Sequence, residues 1–558
     1  MTPPMPRYVS EYYEALRGLE QQGARTEGAL RVAFHTLLAE AGKSRGLTVL
    51  GEQTVQLANK KQIRFDGELK DQYKIRRGVW EAKDSGDDLD AEIARKIAAG
   101  YPTKNILFEN TRRAVLIQNG ERVLDVPMAD RASLQRLLDA FLDYTEPLIE
   151  EFHRAVATFR QEIPQLAQGL TEIIAREKRE NAKFLAALEG FLALCRASLN
   201  PQTSLAAVED MLKQHLLTER IFRSVFNNPD FVRRNAIARE LEKVVAALTS
   251  RSFSRPAFTA RLDYFYRAIE ETARTIDDYS EKQGFLHAVY EQFFQGYSTD
   301  TADTHGIVYT PAPIVRWMVA SVEQVLQQEF SLSLNERGVQ VLDPCVGTGT
   351  FILELLAQLS PSALAQKYAH ELHCNEVLLL PYYIAAQNIE HEFFERTGEY
   401  HPFEGICFAD TLDMGAHRQL NIFAPENTER IHRQEAAPIF VILGNPPYNV
   451  GQSNENDNNK NRAYPGVDKR IQQTYVKGSR ATLNAQLYDM YVRFFRWATD
   501  RLHNGDGIVC FVSNNSFLHQ FTFDGMRKEL LKEFTRIYTL DLGGNIRKNP
   551  KLSGTTPD

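Results

Sequence analysis

The 558-residue chain has few cysteines, and they are scattered: Cys195, Cys345, Cys374, Cys407 and Cys510 form no CxxC pair and have no histidine at ligand spacing. Neither a disulfide framework nor a zinc site is expected, and the thiols should stay reduced in a cytoplasm. No apolar run approaches the roughly 18 residues that a membrane span requires, so no membrane partner is expected. The amino end, MTPPMPRYVSEYYEAL, has no apolar stretch after Arg7 that would suggest secretion. A complete phosphate-binding loop is also missing. Gly42, Lys43 and Ser44 spell its last letters, but Leu37 stands where its first glycine belongs, inside a helical run, so a turn is expected there. Excess positive charge is absent too, the net charge being −7. That argues against a uniformly basic surface and leaves open a local stripe of Lys and Arg, which is what a phosphate backbone feels.

What is present is an ordinary globular composition, 43% apolar and 25% charged, with enough length for several cores. The pattern divides the chain into an α/β segment over residues 1–145, an all-helical connector over 146–299 and a second α/β segment over 300–558. In the first, strands are expected over 63–69, 78–83, 105–108 and 114–117, with a helix over 90–99. IRFDGEL places Asp66 on the first of these strands, and VWEAKD places Glu81 and Lys83 on one face of the second, with Trp80 and Ala82 on the other. Paired strands would bring the two carboxylates together. They repel unless a cation intervenes, and Mg2+ is the hard cation that suits such oxygens in phosphate chemistry. Lys83 could then orient a water or offset charge on phosphorus. The bland alternative is an exposed ion pair on a hairpin.

The connector carries apolar residues at helical spacing and no catalytic constellation. Its basic residues (Arg176, Lys178, Arg179, Lys183, Arg220, Arg223, Arg233, Arg234) read as solvated faces, with tracking along DNA as the alternative.

In the third segment, QVLDPCVGTGTF reads as a strand ending at Asp343, a loop with Gly347 and Gly349, and a helix from Phe351. Glycines there let the backbone approach a small molecule, and a helix amino end favours its carboxylate; dinucleotide binding is the rival reading. A strand over 372–376 brings Glu376 to where a ribose diol would lie, and FADTL brings Asp410. FVILGNPPYN then reads as a buried strand that delivers Asn445, Pro446, Pro447 and Tyr448 at its carboxyl end, where open α/β sheets bind ligands. That end suits a planar amine, whose lone pair is spread into its ring. If the Asn445 side-chain oxygen and the Pro446 carbonyl accept its two hydrogens, the lone pair is aimed at an electrophile, and Tyr448 can stack on the ring. A proline-rich turn is the alternative. The Asn-rich stretch 450–484 reads as a partly disordered loop or as a segment that closes on a base or grips phosphates.

The first segment, with Asp66, Glu81 and Lys83 in strand-strand-helix-strand order, resembles the PD-(D/E)xK nucleases found at the amino end of type ISP and related single-chain restriction enzymes. Phe65 stands where that family has proline. The third resembles the class I (Rossmann-like) S-adenosylmethionine-dependent methyltransferases, in the gamma arrangement of the adenine-specific DNA enzymes. The resemblance implies that Tyr309, Thr310 and Pro311 pack on the cofactor methionine, that Asp343, Gly347, Gly349 and Phe351 form its loop, and that Glu376 binds its ribose. It likewise implies that Asp410 lies beside the cofactor adenine and that Asn445, Pro446, Pro447 and Tyr448 form the catalytic motif.

The whole resembles a type IIG or type ISP restriction-modification enzyme without the type ISP helicase. It implies N6-adenine methylation of double-stranded DNA with S-adenosylmethionine, and Mg2+-dependent cleavage with Asp66 and Glu81 as ligands. Too few residues follow the strand and glycine turn expected over 539–546 to form the family's target-recognition domain, so a lost carboxyl-terminal portion or a separate specificity subunit is expected. Two other readings are a methyltransferase acting on a protein glutamine or an RNA guanine, and an inert DNA-binding subunit of a defence complex.

Overall fold

The computed structural model describes residues 6–22, 26–56, 62–72, 75–199, 201–225, 230–250, 253–276, 285, 288–289, 297, 310–414, 425–447, 463–502 and 505–542. The chain forms two compact units, Met1–Glu162 with Leu262–Gly296, and Ile163–Arg261 with Tyr297–Asp558. The stretch expected as one connector is therefore shared between them.

The first unit is built on a six-stranded sheet in sequential order: β1 (Thr48–Gln56), β2 (Gln62–Lys70), β3 (Arg76–Ala82), β4 (Asn105–Glu109), β5 (Arg113–Gln118) and β6 (Glu121–Pro127). Only β3 and β4 run parallel, joined by the helix Leu89–Ala98, which Asp88 caps by accepting from the Asp90 and Ala91 amides. Period-2 alternation splits the core. Leu107, Leu116, Trp80 and Ala82 join Phe34 and Leu138 of the flanking helices, whereas Ile106, Phe108, Val115 and Val79 pack with Leu89 and Ile93 of the crossover helix. Gly67 lies opposite Trp80 in the ladder, and a Cβ there would stand 2.7 Å from the indole Cε3. The glycine after Asp66 thus lets Trp80 lie across the strand.

β1 and β6 were not expected. They are the two edges, and their sequences lack the clean alternation of the inner strands: Glu121, Arg122 and Val123 at the start of β6 are all exposed.

In the second unit, the helices Ala182–Ser198, Leu205–Val225 and Ala236–Leu248 bury Leu188, Leu212 and Leu241. A five-stranded sheet follows, ordered β11 (Ile508–Phe511), β10 (Ile439–Gly444), β7 (Gln340–Asp343), β8 (Leu372–Glu376) and β9 (Ile406–Phe408), with every adjacent pair parallel. From β7 the chain winds outward through β8 and β9, then crosses to β10 and β11 on the other side. The carboxyl ends of β7 and β10 therefore flank the switch point, where open sheets of this kind take their ligands.

Two expectations are corrected here, the first in one of its two readings. The stretch 450–484 is not simply a solvated loop: residues 448–462 lie outside the described residues, but Tyr464, Val467, Ile471 and Tyr475 are buried, and the helix Pro465–Ile471 starts at once. Their three- and four-residue spacing is helical and was hidden among Asn and Lys. The strand expected over 539–546 is absent through position 542, where Leu540 and Leu542 face solvent and no ladder partner meets them. Among the described residues no helix is long and apolar enough to cross a membrane.

Candidate functional site

β7 delivers Asp343, wholly buried, at the head of the glycine loop. Its Oδ1 accepts the Cys345 amide at 3.1 Å, while its buried Oδ2 has no hydrogen-bond partner. Gly347 and Gly349 take φ of 55° and 98°, left-handed values that tighten the turn into the helix Thr350–Gln358, whose first turn carries buried Phe351. The loop is tied down from two sides. Asn388 of the helix Leu379–Thr397 donates to the Thr348 carbonyl at 2.9 Å, and the Val346 amide donates to the Asn375 carbonyl at 2.9 Å. Glu376, at the end of β8, accepts from Gly347 through one oxygen and from Val377 and Leu378 through the other, each at 2.9 Å.

Asp410 follows β9. Its carboxylate accepts from the Leu412 amide at 3.1 Å and from the Tyr464 hydroxyl at 3.0 Å, and its own amide donates to the Ser198 carbonyl at 3.2 Å. Neither Tyr464 nor Ser198 was expected here. They lie 54 residues downstream and 212 upstream, and nothing in their local sequence marks them. The ring of Tyr464 is covered by Arg493, which is in turn fixed by Asp468 at 2.7 Å.

Beside Asp343, β10 ends at Gly444, where a Cβ would stand 2.8 Å from Asp343 Oδ1. Glycine thus lets the two strand ends close up. Asn445 comes next, half-buried, and its Nδ2 donates to Thr310 Oγ1 at 3.0 Å, an orientation of the amide assigned from this bond. With the NH2 end directed at Thr310, the carbonyl end is the one suited to accept from a substrate amine. Pro446 is buried and Pro447 half-buried, and Pro311 leads into the helix Ala312–Val325. Tyr309 and Tyr448 lie outside the described residues.

Burial pushes the Asp343 carboxyl up to about 8, with the nearby Glu376 charge adding to it, and burial pushes Glu376 up to about 7. Folded Asp343 keeps a proton that the unfolded chain releases near the usual 3.8. Its contribution to stability is therefore full below that value and is lost as pH rises toward about 8. Asp343→Asn cannot ionise. Its melting temperature is expected to lose less than the wild type's between pH 5 and pH 8, by a few degrees, in thermal unfolding followed by circular dichroism. Equal losses would show that Asp343 ionises freely.

In the first unit, Asp66 and Glu81 do come together. Asp66 Oδ2 accepts the Ala82 amide at 3.0 Å, and Oδ1 meets Arg31 at 3.1 Å. Glu81 is 1% exposed; its Oε2 takes Lys83 at 3.0 Å and Lys96 at 2.7 Å, and its Oε1 is buried without a hydrogen-bond partner. Burial raises the Glu81 carboxyl above its ordinary value, opposed by Lys96 and Lys83 and reinforced by the charge of Asp66. Glu109, at the end of β4 and 1% exposed, is pushed up to about 7 by burial, with Asp66 again adding. Sequence reading missed Lys96 and Glu109. Among the described residues no group of three or more His, Cys, Asp or Glu side chains is arranged to hold a metal ion. Two carboxylates, one with an orphaned buried oxygen, nonetheless fit Mg2+, which commonly takes one or two carboxylates and keeps several waters.

Several basic residues of the helical stretch are paired: Lys178 with Glu209 of another helix, Arg223 with Glu219, and Arg233 and Arg234 with Asp230. Such pairs are what solvated helix faces carry.

None of the curated proteins matches the chain. Solved structures do. The chain is 43% identical to DrdV, solved as a DNA complex, over 97% of this chain and 53% of that one, with a TM-score of 0.68. It is 35% identical to a nuclease-deletion mutant of the type ISP restriction-modification enzyme LlaGI in complex with a DNA substrate mimic, over 68% of this chain and 31% of that one (TM-score 0.62). It is 33% identical to the ATP-dependent type ISP enzyme LlaBIII bound to DNA, over 67% and 25% (TM-score 0.62). The chain thus spans about half of DrdV and a third or less of the other two. Residues 155–281 match the coupler domain of type ISP restriction-modification enzymes and residues 281–477 match the N-6 DNA methylase family, so the chain carries a type ISP coupler domain followed by an N-6 DNA methylase domain.

Proposed function

We propose that the chain methylates the exocyclic N6 of adenine in double-stranded DNA, using S-adenosylmethionine, as part of a restriction-modification enzyme, and that its amino-terminal domain cleaves DNA with Mg2+. One observation carries the methyltransferase half. Asp343, Glu376 and Asn445 emerge at the carboxyl edge of one parallel sheet, with Asp343 and Asn445 on the two strands that flank its switch point. Bound S-adenosylmethionine supplies an electrophilic methyl group. Asp343, Gly347, Gly349 and Phe351 would hold it at the loop, Glu376 at the ribose, Asp410 at the adenine, and Tyr309, Thr310 and Pro311 at the methionine end. The buried, unpartnered Oδ2 of Asp343 is the feature that fits such a ligand.

The substrate adenine is turned out of the stack, because its amine is otherwise paired. Asn445 and the Pro446 carbonyl accept the two amine hydrogens, Thr310 holds the amide that does so, Pro447 stiffens the turn and Tyr448 stacks on the base. For the nuclease half, Asp66 and Glu81 would hold Mg2+ and Lys83 would support the attacking water. The orphaned Glu81 oxygen supports this reading.

The test is transfer of labelled methyl groups from S-adenosylmethionine to duplex DNA by the purified chain. Label recovered as N6-methyladenine is expected. Label recovered only in protein or RNA would overturn the reading, and so would tight cofactor binding without transfer to any DNA.

A further inference from the structure

The crossover helix of the first unit brings a second lysine onto Glu81, one that the Glu-x-Lys spacing does not include. Lys96 lies in the last turn of Leu89–Ala98 and contacts the same Glu81 oxygen that Lys83 takes. Its ammonium also donates to the Tyr101 hydroxyl at 2.7 Å and sits 4.4 Å from the centre of that ring. Tyr101 in turn donates to the Arg64 carbonyl at 2.6 Å, two residues before Asp66 on β2. The Lys96 side chain is 17% exposed, so this is a fixed cation and not a solvated one.

Two ammonium groups share one oxygen of the buried Glu81 carboxylate, whose other, unpartnered oxygen is the one that would meet a divalent cation. Like charge at short range in a partly buried site disfavours the incoming ion. A DNA phosphate arriving beside them brings the opposite sign and relieves the repulsion.

We propose that Lys96 is a positioning residue of the nuclease site: it holds Glu81 in the metal-free protein and competes with the divalent cation for it, so that the site fills well only when DNA is present. The proposal rests on the nuclease reading given above.

The experiment measures Mn2+ binding to the full chain without DNA, read from loss of the free-ion electron paramagnetic resonance signal, for wild type, Lys96→Met, Lys96→Arg and Asp66→Ala. Removing one unit of competing charge is expected to tighten Mn2+ binding by about tenfold in Lys96→Met, while Lys96→Arg stays near wild type. Lys96→Met should also lower, by a similar factor, the Mg2+ concentration that gives half-maximal DNA cleavage. Thermal melts check folding; Lys96→Gln, which keeps a donor toward Tyr101, carries the same expectation if the Met variant does not fold. Wild-type Mn2+ affinity in folded Lys96→Met and Lys96→Gln, with Asp66→Ala impaired, would overturn the role of Lys96 and leave the nuclease reading standing. Mn2+ binding unchanged in Asp66→Ala would place the metal elsewhere and overturn both.

Discussion

Asn445→Ala is expected to lower methyl transfer to DNA by about 10²–10³-fold or more while leaving cofactor affinity within about a factor of two, because an oriented acceptor that acts as bonding changes at nitrogen is worth that much. The geometry sets the expectation. Asn445 sits one residue past a fully buried strand end, its neighbour Gly444 is closed against Asp343, and its amide is held by Thr310. Alanine removes the acceptor without opening the core, since Asn445 is itself half-buried. Asp343, Glu376 and Asp410, the residues proposed to hold the cofactor, make their hydrogen bonds to other partners and should keep their places. Rates of label incorporation and equilibrium binding of S-adenosylmethionine, measured on the same preparation, separate the two effects. Wild-type transfer by the variant would refute the assignment of Asn445.

Asp66→Ala is expected to abolish Mg2+-dependent cleavage of DNA and to leave methyl transfer intact. The site would lose one of two carboxylates, and the remaining Glu81 already carries two ammonium groups. The fold should survive, because Arg31 keeps Glu52 as a partner at 2.6 Å and the β2–β3 backbone register from Gly67 and Trp80 onward remains, although the Ala82 amide loses its acceptor. Methylation should persist, since the two groups of residues share no member and stand on different sheets. Gel assays of nicking and cutting, with and without chelator, alongside label transfer, read both activities. Cleavage at the wild-type rate by Asp66→Ala would assign the cutting to another site or to a contaminant.

Much of this architecture was legible in the letters. Short apolar runs in β4 and β5 announced inner strands, and a helix was expected between β3 and β4. The unbroken apolar run before Gly444 announced a strand buried on both faces. The edges were not legible: β1 and β6 are covered less, so selection for an apolar face is weaker there. Composition also misled. Asparagine and lysine around residue 460 suggested a solvated loop, yet the apolar residues from Tyr464 to Tyr475 belong to a core.

The sequence by itself determined the kinds of element, their order, and the placing of Asp343, Glu376 and Asn445 at strand ends, because periodicity and glycine turns act over a few residues. Tertiary structure alone decided which distant groups meet there. Thr310 reaches Asn445 across 135 residues, Tyr464 reaches Asp410 across 54, and Lys96 comes to Glu81 because a crossover helix must pack back over the sheet it leaves. Such meetings follow from strand order and register, which the whole chain settles together through burial, and no short stretch of sequence encodes them.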